Sequence, residues 1–406
     1  MNRYSIPVHR RAARALRRWA NSTVDVMRAP VRRPVVLLVG NEVPSAKAQE
    51  IGTRLRYLFA QMGRTYKLRT TRRASYLDYL TNTAVVAVDA SAVPGFARRY
   101  VRWVADLDYE TNPADGWSLM DLGVAITGGP SSTVISNARR TFVDHVRKAQ
   151  DGGPRPAYIF GTGPSLRLAR DRSFADGVVV VCNTIVRDPD LWHHLAPAFF
   201  TAGDAIYHFG DNAHARAFRT DALRRLQESE GRTLFVYPAP FDVVVRSEFR
   251  DVESVLTPIP WGEHEDISVD LTKRFAMPHV SNVLNGALLP LGCTISRDVR
   301  LWGFDGRAPT DSGFWANSNL HAYPELMQSI RDAHPAFFAD RVPEGNEVKY
   351  VKQVHGDWLD ERLSDAESRG FRFRMLHSSW TPTLQKRFVK DDASTDLGTD
   401  GGVRRE

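Results

Sequence analysis

A glycine-rich turn, Gly161-Thr162-Gly163-Pro164-Ser165, stands between the apolar run AYIF and the stretch Leu166-Arg167-Leu168-Ala169-Arg170. Glycines let a backbone approach a phosphate closely, and the amides that open a following helix can bind one, so the spacing points to a nucleotide or phosphate ligand. The turn is not the dinucleotide fingerprint, because Leu166 occupies the place of the third glycine. It is not a P-loop either, because no Gly-Lys-Ser/Thr follows. An ordinary strand-to-helix turn has the same spelling, so its neighbours must decide. Apolar runs end in Gly161, Asn183, Asp204 and Asp305, and ligands of open α/β sheets sit at such strand ends.

Asp204 admits two chemistries. A carboxylate at a strand end can hold Mg²⁺ against a di- or triphosphate, or it can bind a sugar hydroxyl or cap the next turn. Asp188-Pro189-Asp190 has the spelling of a metal-binding D-x-D but lies past a strand end, where Asp190 is expected to cap the helix LWHHL. His193, His194, His208, His214 and His264 lack the spacing that puts two ligands on one helical face, so no metal site is expected. His208 is expected near Asp204 in space. The stretch 304–327 is polar and aromatic without periodicity, as binding loops are; its Phe314, Trp315 and Tyr323 either stack on a ligand or anchor the loop.

These residues need a scaffold, and the apolar pattern supplies one. Strands are expected at 34–40, 66–70, 84–90 and 123–129, with helices at 45–62 and 131–150. After the break at DGGPRP (151–156) the pattern restarts, with strands ending at Gly161, Asn183, Asp204, Pro238, Asp305 and His377. Strands alternating with helices predict an α/β fold, a Rossmann-like parallel sheet with helices on both faces. A smaller α/β domain is expected before it, giving boundaries at 1–33, 34–150, 151–389 and a disordered polar tail at 390–406.

GTGPSL, followed by the strand end Cys182-Asn183, resembles the sialyltransferases of glycosyltransferase family 42, whose fold is a GT-A-like variant of that sheet. Leu291-Gly292 and the run from Val299 to Asp305 are similar to the family's Leu-Gly helix end and Gly-x-Asp strand. Tyr350-Val351-Lys352-Gln353-Val354-His355 falls where the family has a Tyr and then its catalytic His, just before a helix. The same turn and strand-end Asp resemble a neighbouring family of Maf-type flagellin glycosyltransferases and 6-hydroxymethyl-dihydropterin pyrophosphokinases. The chain departs from the sialyltransferases at Thr162 (their Asn), at Asp204 (their second strand-end Asn) and in lacking their tyrosine pair after the Gly-x-Asp strand.

The resemblance implies roles. Gly161, Thr162, Gly163, Ser165 and Asn183 would bind a cytidine nucleotide and its phosphate, and Ser281 and Asn282 would contact phosphate or sugar. Asp204, Asp305 and Arg307 would complete the donor pocket, Arg307 as a bidentate partner of phosphate or carboxylate. His355 would take the proton from the acceptor hydroxyl, with no metal cofactor. The expected function is a glycosyltransferase that moves a sugar from a nucleotide-sugar, CMP-sugar favoured, to a glycan or lipid-linked acceptor in cell-envelope glycan biosynthesis. The alternatives are an ATP- and Mg²⁺-dependent pyrophosphokinase-like transferase and a non-catalytic nucleotide-sugar-binding scaffold.

The composition is that of a folded chain, with 43% apolar and 25% charged residues among 406. Two cysteines in apolar settings, Cys182 and Cys293, read as buried free thiols of a reducing compartment, so a cytoplasmic location is expected. Residues 1–33 hold nine arginines against one acid, Asp25, and account for the net charge of +7. With Ala13, Leu16, Trp19 and Ala20 on one side, this segment fits an anionic membrane surface on its cytoplasmic face, or else a solvated tail. No nucleic-acid partner is expected, since no aromatic-interleaved basic motif recurs.

Overall fold

The computed structural model describes residues 35–40, 45–82, 84–87, 93–94, 104–106, 117–264, 266–278, 280, 282–306, 323–333 and 347–390. It opens with β1 (Val35–Val39), α1 (Ser45–Gln61), β2 (Lys67–Thr71), α2 (Tyr76–Thr81), β3 (Ala84–Ala87) and β4 (Val104–Asp106). The four strands pair in parallel in the order β2-β1-β3-β4. Along β1 the side chains alternate between two apolar clusters, Val36 and Leu38 in one, Leu37 and Val39 in the other. A strand covered on both faces needs apolar residues at every position, which is why this one reads VVLLV.

The stretch 123–129, expected as a strand, is helical. It ends α3 (Trp117–Thr127), with Met120, Leu122 and Ile126 buried. Gly128 and Gly129 then take φ of +82° and +71°, a conformation that stops a helix at no steric cost to glycine. A short apolar run satisfies a buried helix as readily as a buried strand, and the terminal glycines decided between them. The next helix, α4 (Ser132–Gln150), starts at Ser131, whose Oγ accepts the Val134 amide at 3.2 Å.

The main sheet follows, formed from β5 (Ala157–Phe160), β6 (Val178–Cys182), β7 (Phe199–Thr201), β8 (Leu234–Pro238), β9 (Leu256–Ile259), β10 (Asp298–Trp302) and β11 (Arg372–Met375). Between them run α5 (Pro189–Leu195), α6 (Ala213–Glu228), α7 (Asp242–Glu248), α8 (Leu289–Ile295), α9 (Met327–Ala333) and α10 (Glu347–Ser368). All seven strands are parallel, in the order β11-β10-β5-β6-β7-β8-β9. The chain enters at β5, steps outward to β9, then returns to lay β10 and β11 on the other side of β5. The order therefore reverses between β5 and β10. Strand β9, unforeseen in the sequence, contains Pro258, which a ladder tolerates at its edge.

Successive residues of β7 face opposite layers. Phe199 packs on Phe142 of α4, while Phe200 meets Trp192 of α5 and Phe218 of α6. One apolar cluster runs from Val36 and Leu38 of the first sheet through Phe142 to Leu301 of the second, so the two sheets share a core. Polar contacts reinforce the junction: the Tyr57 hydroxyl donates to the Phe209 carbonyl at 3.1 Å, and Gln61 donates to Glu248 at 3.0 Å. No described helix is long and apolar enough to cross a membrane.

Candidate functional site

Reversal of strand order opens the carboxyl ends of two neighbouring strands in opposite directions, which is where open α/β sheets leave room for a ligand. Here those ends are Phe160-Gly161 and Trp302-Gly303, placed side by side by the β5–β10 register. The Gly161 amide donates to the Trp302 carbonyl at 2.8 Å, and the Gly163 amide to the Gly303 carbonyl at 2.8 Å. So close an approach excludes any side chain. A Cβ on Gly161 would stand 2.6 Å from the Gly303 oxygen, and one on Gly163 would stand 2.2 Å from Asp305 Oδ2. The glycines of the turn are thus required first for the contact between two strand ends.

Asp305 occupies the position that a ligand anion was expected to take. Its Oδ1 accepts the Ser165 amide at 3.0 Å and its Oδ2 accepts the Ser165 hydroxyl at 2.9 Å. The turn and the strand-end carboxylate, both expected in the donor pocket, are one hydrogen-bonded unit.

A third member was not foreseen. His377, after β11, brings Nε2 within 2.6 Å of Ser165 Oγ and accepts the Gly303 amide at 2.9 Å, while Nδ1 lies 2.8 Å from the Ser378 carbonyl. A Gly303 amide that donates to Nε2 leaves the proton on Nδ1, so the single hydrogen of the Ser165 hydroxyl is shared between Nε2 and Asp305. Burial pushes the His377 pKa below the ordinary histidine value, against the opposing pull of Asp305. The three residue types are those of a hydrolytic triad, but the wiring differs. The acid bonds the hydroxyl rather than the imidazole Nδ1, from which it lies 3.9 Å away, and Nε2 is already shared with a backbone amide. The cluster therefore pins three strand ends together and holds a carboxylate in place. The signal was present in the sequence, since the run FRFRML ends in His377 by the same rule that singled out Asn183.

Asn183 ends the neighbouring strand β6 in the left-handed conformation, φ +52°, with Oδ1 buried and without a hydrogen-bond partner. Asparagine enters that conformation more readily than most residues, and its orphaned acceptor leaves room for a donor. Asp204, two strands from the turn, uses Oδ1 to accept the amides of Ile206 at 2.8 Å and Tyr207 at 2.7 Å. His208 is close by, its Nδ1 accepting the Asp204 amide at 3.1 Å. Asn282 caps the turn that leads into α8, its Oδ1 accepting the Asn285 amide at 2.9 Å. Ser281 and Arg307 lie outside the described residues, as do Phe314, Trp315, the basic segment 1–33 and the tail beyond 390.

His355 does not precede a helix. It falls inside α10, more than two turns from its first residue, and its side chain lies outside the described ones. The helix LWHHL is capped by Asp188, not Asp190: Asp188 Oδ1 accepts the Leu191 amide at 3.0 Å. Proline at the next position fixes the helix start there. Tyr323 anchors its loop to the core: its amide donates to His214 Nε2 at 3.2 Å and its hydroxyl to Asp221 at 2.7 Å. Both cysteine thiols are buried and their pKa values pushed up, so they stay protonated and inert.

A cleft of about 410 Å³ opens at the opposite, amino-terminal edge of β6 and β7, between Arg155, Phe174, Gly177, His194 and Ala198. Its one imidazole is engaged by the carbonyls of Ala169 and Arg172, at 3.0 and 2.8 Å, and no acid converges on it. The candidate residues named above gather at the opposite, carboxyl edge. No family model matches the chain, and a search of curated proteins returns no relative.

Proposed function

We propose that the protein is a glycosyltransferase whose nucleotide-sugar donor binds at the carboxyl edge of the main sheet, where strand order reverses. The observation that carries this reading is the gathering of the Gly161-to-Ser165 turn, Asp305 and the orphaned Asn183 side-chain oxygen at adjoining strand ends. Such a place suits a ligand with many hydroxyls and amide-like base edges better than a purely apolar one. Transfer would run as a single displacement. The acceptor hydroxyl loses its proton to His355, its oxygen forms the new bond to the anomeric carbon, and the nucleotide leaves with the electron pair of the broken bond. Asp204 uses its Oδ1 to accept two backbone amides, the arrangement of a carboxylate that caps its own turn. In the same reading the first sheet stands on the acceptor side, and residues 1–33 meet anionic lipid at the cytoplasmic face.

A thermal-shift panel of CMP, CDP, UDP, GDP and ATP, each with and without Mg²⁺, tests it. A nucleotide present at about 100 times its Kd should stabilise the fold by roughly 2.7 kcal/mol. Stabilisation by CMP or CDP without Mg²⁺ is the expected result, and His355→Ala should then abolish transfer while leaving binding intact. If no nucleotide moves the melting temperature, the reading is wrong.

A further inference from the structure

Three of the turn's amides, and the one that follows it, are taken. Those of Gly161 and Gly163 go to carbonyls of the β10 end, that of Ser165 goes to the Asp305 carboxylate, that of Leu166 returns to Gly163, and Pro164 has none. A phosphate laid on this turn would find those donors spent and a carboxylate in its place. What the site offers there is an acceptor, and acceptors bind hydroxyl groups. The Asp305 side chain is 19% exposed and held from behind by Ser165, so it presents a fixed carboxylate edge to solvent.

The chain returns to the Asp305 backbone at Trp380. The Trp380 amide donates to the Asp305 carbonyl at 2.6 Å, yet Trp380 is 63% exposed. Its loop is rigidly seated. Ser379 Oγ donates to the Phe304 carbonyl at 2.7 Å and its amide to Gln385 Oε1 at 2.7 Å. Gly306, at φ +71°, lets the loop close in, since a Cβ there would meet Thr381 Oγ1 at 2.7 Å. An exposed aromatic face on a fixed backbone loses little entropy when a planar group stacks on it.

Resting on the reading that this edge binds a nucleotide, we propose that Asp305 and Trp380 form its nucleoside subsite. The carboxylate takes the ribose hydroxyls and the indole stacks on the base, with His377 as the positioning residue behind Ser165.

Calorimetric titration of the full chain with CMP and with 2′,3′-dideoxy-CMP tests this directly. Wild type should bind the dideoxy form at least tenfold more weakly. Trp380→Ala, an exposed change that spares folding, should weaken CMP binding by roughly ten- to a hundredfold, and Trp380→Phe by less than about threefold. Wild-type binding that ignores the ribose hydroxyls, or CMP binding that survives Trp380→Ala, overturns the subsite while leaving nucleotide binding in place. If wild type binds neither nucleotide, the subsite falls together with the reading on which it rests.

Discussion

At the scale of single residues, Gly163 does more than loosen a turn. A methyl group there would stand 2.2 Å from Asp305 Oδ2 and 2.8 Å from the Gly303 oxygen. Backbone cannot yield that far, so Gly163→Ala must expel the carboxylate from Ser165. We expect it to cost about 2 kcal/mol, read as a lowered urea midpoint, and to abolish nucleotide binding. Gly203→Ala is the contrast: its Cβ would meet only Pro238, at 3.5 Å, and φ there is ordinary. That variant should stay within about 0.5 kcal/mol of wild type in the same measurement.

At the scale of elements, Phe142 is the largest buried side chain that α4 packs on the main sheet. Phe142 is fully buried and packs on both Phe199 and Phe275. Phe142→Ala should cost about 3–5 kcal/mol, the range for truncating a buried aromatic, and lower the thermal midpoint by several degrees. The cap of the same helix is a milder lever. Ser131→Ala leaves the Val134 amide to water and should cost about 1 kcal/mol, with no effect on ligand affinity. A loss of affinity in that variant would mean that the helix start is wired to the site.

For the whole molecule, acid should be the weak flank. His145, His214, His264 and His377 all have pKa values lowered from 6.5, in each case chiefly by burial, and His214 falls to about 4. A histidine buried neutral binds fewer protons folded than unfolded, so stability is full above pH 6.5 and falls as the pH drops through the unfolded value toward the folded one. At roughly 1.4 kcal/mol per unit, His214 alone accounts for a loss of about 3 kcal/mol by pH 4. Urea midpoints at pH 7.5, 6 and 5 should decline steadily. His214→Gln, which keeps a donor for Tyr207 and an acceptor for Tyr323, should flatten that decline. A midpoint that stays level down to pH 5 in wild type would contradict the burial of these imidazoles.

How much of this was legible in the chain depended on how local its cause was. The unbroken runs VVVVC and LFVYP announced buried parallel strands because a strand covered on both faces admits nothing else, and the strand ends marked by Gly161, Asn183, Asp204 and Asp305 followed from them. The helix at Trp117–Thr127 was misread because its apolar stretch serves either structure, and the edge strand Leu256–Ile259 was missed because its proline speaks against a strand until its place at the sheet edge is known. The glycine turn was visible, but what fills it was not. Ser165, Asp305 and His377 are 140 and 212 residues apart along the chain, and only the reversal of strand order between β5 and β10 brings them together. Sequence alone determined that glycines and polar residues stand at the strand ends. Tertiary structure decided that the glycine turn holds a carboxylate, because which strands become neighbours is settled by packing of the whole sheet.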